Sequence, residues 1–245
     1  MENAAYVGLS RQMTLRRELD IVANNIANAD TTGFKVEQLL VGTEVGERAR
    51  NAFVRPGVSF VMDNGVGRDF GQGALEQTSR TLDFAIEGEG AFFALQDGVG
   101  AAYTRDGAFT LDPEGRLTTQ GGAAVQGDGG EIILDPLLGQ PAVAADGTIS
   151  QNGQLVGRLS VVRFDTLAVL EKGGDGLYRN ASNAAAVEAN DARVRQGMLE
   201  GSNVNPILEI TNLIEIQRAY ESVTRMIENT NDLSRRAVER LGRAA

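Results

Sequence analysis

Acidic side chains are the residues of this sequence that could support catalysis. The chain has 245 residues and contains no cysteine and no histidine. This excludes disulfides, thiolate and imidazole metal ligands, and every nucleophile activated by histidine. An acid pair such as Asp106 and Glu114 could serve a hydrolase, and a β-rich hydrolase is one hypothesis. Aromatic residues make up only 5% of the chain and tryptophan is absent, so the composition does not favour a sugar-binding groove.

Glycine-rich stretches are the second feature with possible chemistry. "DPEG" (112–115) and "DGGE" (128–131) resemble parts of a calcium loop, but both lack the series of oxygen ligands that an EF-hand requires. "GVGRDFGQG" (65–73) and "GEG" (88–90) lack the spacing of nucleotide-binding loops. We interpret all four as turns and predict no catalytic residues, no metal site and no cofactor.

Charge and hydropathy restrict the partners. The formal net charge is −10, which argues against binding to nucleic acid or to an anionic membrane. The two lysines, Lys35 and Lys172, leave few candidates for covalent lysine chemistry. No run of 18 apolar residues occurs, so no membrane-spanning helix is expected. Charges within residues 11–20 interrupt the N-terminal segment, and we expect no cleavable signal peptide.

Both ends of the chain have the apolar spacing of helices. The N-terminal segment has apolar residues from Tyr6 through Leu9 and Met13, and a heptad seam with steps of 4, 3 and 4 follows. The C-terminal segment continues such steps as far as Leu241, with Asn205 and Pro206 as a helix start. The seam residues are Leu15, Leu19, Val22 and Ile26 at one end, and Leu213, Ile216, Tyr220, Val223 and Ile227 at the other. Two such seams favour helix pairing within or between chains.

The middle of the chain has the frequent turns and short apolar runs that are typical of β-structure. All but two of the 30 glycines lie between Gly33 and Gly201. Hairpin-type dipeptides occur at residues 64, 97, 106, 146 and 152. The runs between turns that predict strands are "LDFAIEG" (82–88), "AFFALQ" (91–96), "AYTRDGAFTL" (102–111), "EIILD" (131–135) and "RLSVVRF" (158–164).

The predicted fold is therefore mixed α and β, with an antiparallel β-rich domain inserted between terminal helices that form a coiled-coil-like domain. We expect residues 1–35 and 200–245 to form the helical domain and residues 76–199 the β-rich domain. Residues 36–75 are expected to be an extended connection.

Four long segments resemble the flagellar rod and hook axial proteins of bacteria. They are "LSRQMTLRRELDIVANNIANADTTGFK" (9–35), "TLDFAIEGEGAFFAL" (81–95), "YTRDGAFTLDPEGRLTTQGG" (103–122) and "LEGSNVNPILEITNLIEIQRAYESVTRMI" (199–227). They occur in the family's order and cover well over half of the chain. Arg11 stands where the family has a glycine. Length and the short middle region resemble a rod protein, with the distal-rod protein as the near alternative, whereas the hook protein is usually larger.

The resemblance implies a structural subunit and not an enzyme. In the family the terminal helices pair in an inner coiled-coil layer around the export channel, and the β domain lies outside it. Subunits are exported unprocessed by the flagellar type III apparatus and polymerise helically into a rod that crosses the periplasm. The implied partners are copies of the chain, other rod proteins and the surrounding ring bushings. A secreted coiled-coil adhesin with a β head is the remaining hypothesis.

Three asparagines near the end of the N-terminal helix carry a separate hypothesis. Asparagine disfavours a helix by roughly half a kcal/mol relative to alanine, yet Asn24, Asn25 and Asn28 occur within five residues. They flank the seam and do not fill it. We expect their amides to fix the register of neighbouring subunits, because a slipped neighbour would leave buried amides unsatisfied. The alternative is that they loosen the helix end before Gly33.

Overall fold

The computed structural model describes residues 2–45, 59–182 and 184–243. The chain forms two compact units. Unit 1 comprises residues 1–27, 37–68 and 205–245, and unit 2 comprises residues 28–36 and 69–204. A mixed α and β fold with a helix at each end and an antiparallel β-rich region between them is confirmed.

Unit 1 contains both long helices, α1 (Glu2–Ala27) and α2 (Pro206–Arg243). The predicted start of α2 is confirmed, because the Asn205 side chain accepts hydrogen bonds from the backbone N–H groups of Ile207 and Leu208 at 3.1 and 3.3 Å. Among the described residues, no helix is both long and apolar enough to cross a membrane.

A two-stranded antiparallel ribbon completes unit 1. It consists of β1 (Glu37–Val45) and β2 (Ser59–Arg68). The register shifts between Leu39 and Val41, opposite Asn64 and Gly65, and Gly65 has a φ of 103°. The predicted hairpin turn at Asn64–Gly65 is therefore wrong. This dipeptide forms a bulge within a strand, where the positive φ favours glycine.

Unit 2 is built from seventeen short strands among its described residues, with two short 3-10 helices at Pro136–Leu138 and Leu167–Val169. The strands are β3 (Leu75–Gln77), β4 (Phe84–Glu87), β5 (Ala91–Gln96), β6 (Ala101–Thr104), β7 (Phe109–Leu111), β8 (Leu117–Thr119), β9 (Ala124–Gly127), β10 (Gly130–Glu131), β11 (Ala142–Val143), β12 (Thr148–Gln151), β13 (Gln154–Arg158), β14 (Val161–Arg163), β15 (Leu170–Lys172), β16 (Tyr178–Asn180), β17 (Val187–Glu188), β18 (Arg193–Gln196) and β19 (Met198–Glu200). Every strand pairing is antiparallel.

The main sheet of unit 2 has the order β15-β16-β6-β5-β9-β8-β7, with β10, β14 and β17 joined at its side. A separate sheet has the order β11-β12-β13. The last strands return to the first, since β18 pairs with β4 and β19 pairs with β3. Unit 2 is thus closed by residues far apart in sequence.

The predicted strands are confirmed in part. "AFFALQ" matches β5 in full, whereas "AYTRDGAFTL" divides into β6 and β7, and only the first residue of "EIILD" lies in a strand. The apolar face of β5 contributes Phe93 to a core that includes Phe84 and Phe109, and the Phe93 and Phe109 rings meet edge to face at 5.3 Å.

Three of the predicted turns in unit 2 are confirmed. Asn152 and Gly153 have φ values of 48° and 78° and join β12 to β13. Asp97 closes the turn between β5 and β6 by accepting hydrogen bonds from the N–H groups of Val99 and Gly100. Gly147 has a φ of 85° in the turn before β12.

The predicted hairpin turn at Asp106–Gly107 is wrong, because the strands on either side of it, β6 and β7, are not paired with each other. A β-carbon at Gly107 would overlap the carbonyl group of Phe84. Glycine is needed there for close packing of two backbones and not for a hairpin turn.

Candidate assembly surfaces

The helices α1 and α2 lie antiparallel in unit 1. Gln12 in the first half of α1 donates a hydrogen bond to Thr224 at 3.0 Å, and Asn25 near its end donates one to Glu209, also at 3.0 Å. A β-carbon at Gly8 would lie 2.9 Å from Cγ1 of Ile227. The absence of a side chain at Gly8 therefore allows the helices to approach closely at this end.

The predicted seam residues lie on the less exposed side of each helix. Leu15 and Val22 are buried and Leu19 and Ile26 are half-buried. On α2 the half-buried positions are Leu213, Ile216, Tyr220, Val223 and Ile227, and most intervening positions are exposed. Since Ile227 faces Gly8 in the same chain, part of this stripe is occupied within the subunit. The seam's predicted continuation at Ser234, Ala237 and Leu241 lies outside the described side chains.

Asn25 is buried, with 1% of its surface exposed. Its amide donates to the Glu37 carbonyl oxygen at 2.8 Å and accepts from the Glu37 N–H at 3.0 Å. These bonds reproduce the pairing that a neighbouring strand would give to the first residue of β1. Asn25 is buried because α1 packs against the ribbon as well as against α2, an arrangement that helical periodicity alone does not show.

The other two asparagines are in different surroundings. Asn24 is exposed and donates to the Glu37 carboxylate at 3.4 Å. Asn28 belongs to unit 2, where its side-chain and backbone oxygens accept hydrogen bonds from Thr31. The structure thus brings Asn24 and Asn25 to one strand end.

Each helix also has a second apolar stripe. Tyr6, Leu9 and Met13 are exposed by 62%, 49% and 67%. Ile207, Ile210 and Ile214 on α2 are exposed by 75%, 47% and 44%. Spacings of three and four residues place each trio on one helix face. We call these trios the exposed stripes. They were not separated from the seam by sequence reasoning, which treated Tyr6, Leu9 and Met13 as part of one apolar recurrence that leads into the seam.

Unit 2 contains a buried ionic cluster that sequence reasoning missed. The Glu200 carboxylate accepts from Lys35 Nζ at 2.6 Å and from Arg105 Nε at 2.5 Å, and each of the three residues is at most 2% exposed. Burial lowers the pKa of the Lys35 ammonium, and its hydrogen bond to Glu200 opposes that shift. We call these three residues the ionic joint.

Asn203 binds the same region of unit 2. Its side chain accepts from the Val36 N–H at 2.8 Å and donates to the carbonyl oxygens of Asp69 and Gly71 at 2.9 and 3.2 Å. Segments 33–36, 69–74 and 200–203 are thereby held together by side chains and by backbone bonds such as Gly33 N–H to Glu200 C=O at 2.8 Å.

The candidate acid pair has structural roles. The Asp106 carboxylate accepts from the Thr32 hydroxyl at 2.7 Å and from the Ala108 N–H at 3.1 Å. Glu114 lies in an exposed turn beside Arg116. Within the described part of the chain, no group of three or more acidic side chains is arranged to hold a metal ion.

Three family models match the chain in sequence. Residues 6–35 match the flagella basal body rod protein model, residues 85–156 match the flagellar hook protein FlgE/F/G D1 domain, and residues 195–240 match the flagellar basal body rod FlgEFG protein C-terminal model. Over 244 residues the chain is 58% identical to the flagellar basal-body rod protein FlgF of Caulobacter vibrioides, with 99% of both chains covered.

The chain belongs to the flagellar basal-body rod protein family.

Further relatives of this rod protein carry two names. FlgF of Mesorhizobium japonicum is 36% identical, with 99% of each chain covered. The flagellar basal-body rod protein FlgG of Bacillus subtilis is 31% identical over 95% of this chain and 97% of its own. The predicted family is therefore confirmed. The rod protein is a structural protein and not an enzyme, and the hydrolase hypothesis is wrong, since Asp106 and Glu114 belong to turns of a structural family.

Two of the matched segments coincide with the helices. The first covers most of α1 and continues through Lys35, and the third begins in β18 and covers most of α2. These two matches include both exposed stripes, Lys35 and Glu200, and the match to the D1 domain includes Arg105, so all three members of the ionic joint lie in matched segments.

Proposed function

We propose that this rod protein polymerises helically with copies of itself and with other rod proteins to form the drive shaft around the export channel. The observation that supports this most is the pair of exposed stripes on unit 1. Each stripe presents three large apolar side chains at helical spacing after α1 and α2 have already packed together. Such side chains gain roughly 1.5 to 3 kcal/mol each when they are fully buried, which favours burial against neighbouring subunits.

In the proposed arrangement, unit 1 contributes to an inner helical layer with coiled-coil packing, and unit 2 forms an outer layer. The proposed assembly interface includes the seam residues Leu15, Leu19, Val22, Ile26, Leu213, Ile216, Tyr220, Val223 and Ile227, together with Asn24, Asn25 and Asn28. The hydrogen bonds that Asn25 makes within the subunit give it a second role inside the subunit, since they fix the start of β1. Asn24, which is exposed at the same strand end, has the better position for reaching a neighbour.

The domain organisation that we propose assigns residues 1–35 and 200–245 to the axial helical part, 36–75 to a connection and 76–199 to the outer part. The two compact units support a similar division, but residues 37–68 belong to the unit of the helices, and the region around Lys35 and Glu200 belongs to the β-rich unit. We propose further that the rod spans the periplasm, that the flagellar type III apparatus exports the subunit without cleavage of a signal peptide, and that the ring bushings surround the assembled rod.

The position of the subunit within the rod has two candidates. The 58% identity to FlgF of Caulobacter vibrioides, against 31% to FlgG of Bacillus subtilis, supports a role like that of FlgF. A distal position like that of FlgG is the alternative. A secreted adhesin shares the layout of two helices and a β domain, but a full-length rod relative speaks against it.

Electron microscopy of basal bodies from a strain that lacks this chain tests the proposal. We expect rod assembly to stop where this subunit would be added, with a truncated rod and no hook. A short proximal stub supports the FlgF-like position, and a stub that lacks only its distal part supports the FlgG-like one. Complete rods with hooks in the deletion strain would contradict the proposed function.

A further inference from the structure

The ionic joint connects residues that are very far apart in the chain. Lys35 and Glu200 are separated by 165 positions, and Arg105 and Glu200 by 95. Lys35 comes before the first strand of unit 2, and Glu200 is the last residue of its last strand. The joint therefore exists only when the beginning, middle and end of unit 2 are in place together.

The charges of the joint are balanced by backbone groups from still other segments. Two cations face one carboxylate, and the excess positive charge is directed at carbonyl oxygens. Lys35 Nζ donates to Gly71 at 2.7 Å, and the Arg105 guanidinium donates to Ala91 at 2.5 Å and to Gly88 at 2.6 Å. A buried ion that loses its partner is strongly destabilising. Without Glu200, Lys35 and Arg105 would be two like charges in a dry interior.

Glu200 also holds the backbone of two segments. The Glu200 carboxylate accepts a hydrogen bond from the Gly73 N–H at 2.8 Å, and the Glu200 backbone carbonyl oxygen accepts one from the Gly33 N–H at 2.8 Å. The next residue, Gly201, donates to the Ala74 carbonyl oxygen at 2.8 Å. The segments around Gly33 and Gly73 are therefore both hydrogen-bonded to residues 200 and 201.

We propose that the ionic joint is a completion lock, which lets unit 2 close only after the segments around Lys35 and Glu200 have come together. The consequence for export rests on the proposed function. A chain threaded through a narrow channel keeps Lys35 and Glu200 apart, whichever end leads. Unit 2 then stays open during passage and closes once both segments have emerged, so that an incompletely exported subunit cannot complete its fold.

Pulsed hydrogen exchange during refolding of the full chain, read by mass spectrometry, tests the lock. We expect segments 33–36, 71–74, 86–91 and 198–203 to become protected in one late phase, after the β5–β6 hairpin, whose contacts are local. Protection of segments 71–74 and 86–91 in an earlier phase than 33–36 and 198–203 would overturn the proposal.

Substitution of the carboxylate gives a second readout on the folded chain. Glu200→Gln should raise native-state exchange at least tenfold in all four segments at once. Glu76→Gln changes an exposed carboxylate in β3, the strand that pairs with β19, and should leave exchange unchanged. If Glu200→Gln does not fold, Glu200→Asp, which keeps the charge and withdraws it by one methylene group, should give the same pattern at smaller amplitude. Faster exchange confined to residues 198–201 would overturn the lock.

These experiments are independent of the rod. A failed exchange experiment would reject the lock and leave rod assembly unaffected, whereas complete rods in the deletion strain would reject the proposed function and leave the exchange pattern unchanged.

Discussion

The side-chain amide of Asn25 pairs with both backbone groups of Glu37, at 2.8 Å to its carbonyl oxygen and 3.0 Å from its N–H. A helix side chain thus replaces a neighbouring strand at the first residue of β1. The Asn25 amide also donates to Glu209 of α2 at 3.0 Å. One buried asparagine therefore joins α1, α2 and the ribbon of unit 1.

Asn25→Leu should destabilise unit 1, because it leaves two polar backbone groups of Glu37 without their partner. An unsatisfied buried group costs about 1–3 kcal/mol. The loss should be measured in assembled rods, in which the terminal helices are ordered: unit 1 should unfold at a lower urea concentration in Asn25→Leu rods, while unit 2 keeps its stability. Asn24→Leu, at an exposed position, is the matched control and should change stability by about 0.5 kcal/mol or less. Equal effects of both changes would show that the Glu37 pairing is not important.

Val223→Asp should abolish incorporation into the rod. Val223 lies half-buried on the stripe of α2 that also contains Tyr220 and Ile227, and a charge there loses about 1.5 kcal/mol or more of apolar burial. The measurement is the amount of this subunit in purified basal bodies, together with swimming in soft agar. Glu221→Ala changes an exposed position of the same helix and should incorporate normally. If both variants incorporate alike, the assembly face of α2 has been assigned wrongly.

The sequence predicted the elements whose signals are local. Steps of three and four residues gave both helices, "AFFALQ" gave β5, and Asn152–Gly153 gave a turn whose φ values are positive at both residues. Asn64–Gly65 has the same dipeptide signal but forms a bulge, because the pairing of β1 with β2 overrides the local preference. A glycine dipeptide therefore indicates a local preference that long-range strand pairing can override.

The ionic joint could not be predicted, because its members lie 95 and 165 positions apart and no spacing rule connects them. The burial of Asn25 was missed for a related reason. Residues 36–75 were predicted only as an extended connection, so nothing in the sequence indicated that a ribbon would pack on α1. Long-range strand pairing, and not helix periodicity, determines both arrangements.

Acid should weaken the turn that joins β5 to β6. The hydrogen bond from Arg179, at 2.5 Å, and those from the N–H groups of Val99 and Gly100 lower the pKa of Asp97 below that of an ordinary aspartate, about 3.9. A depressed pKa stabilises the folded state above the pKa of the unfolded state, and this contribution is lost as the pH falls through the folded-state pKa. The carboxyl resonance of Asp97 in an NMR titration should therefore have a midpoint below 3.9.

Arg179→Gln removes the largest cause of that shift, and the Asp97 midpoint should then rise towards 3.9. An unchanged midpoint in this variant would show that the ion pair does not lower the Asp97 pKa.

The terminal helices of the dilute monomer should be largely disordered and become ordered on assembly. Ordering the 26 residues of α1 costs on the order of 25 kcal/mol in backbone entropy, whereas its apolar side chains contribute about 10–15 kcal/mol when fully buried. Brief trypsin treatment should cut the monomer in both helices, at Arg11, Arg16, Arg17, Arg218, Arg225, Arg235, Arg236 and Arg240.

Lys35 should resist trypsin, because only 1% of its surface is exposed in unit 2. The stable fragment should therefore retain both Lys35 and Glu200, and assembled rods should protect the helix sites as well. Terminal helices that resist trypsin as well as unit 2 does would contradict coupled ordering.

The central claim is that the exposed stripes become buried between subunits of the rod. The chain has no cysteine, so Ile210→Cys introduces a unique thiol on the exposed stripe of α2, where the native side chain is 47% exposed. The decisive measurement is the rate of maleimide labelling of this thiol in the monomer and in basal bodies purified from motile cells of the variant strain. We expect labelling in basal bodies to be at least tenfold slower than in the monomer. Equal rates in the two states would contradict assembly through this stripe.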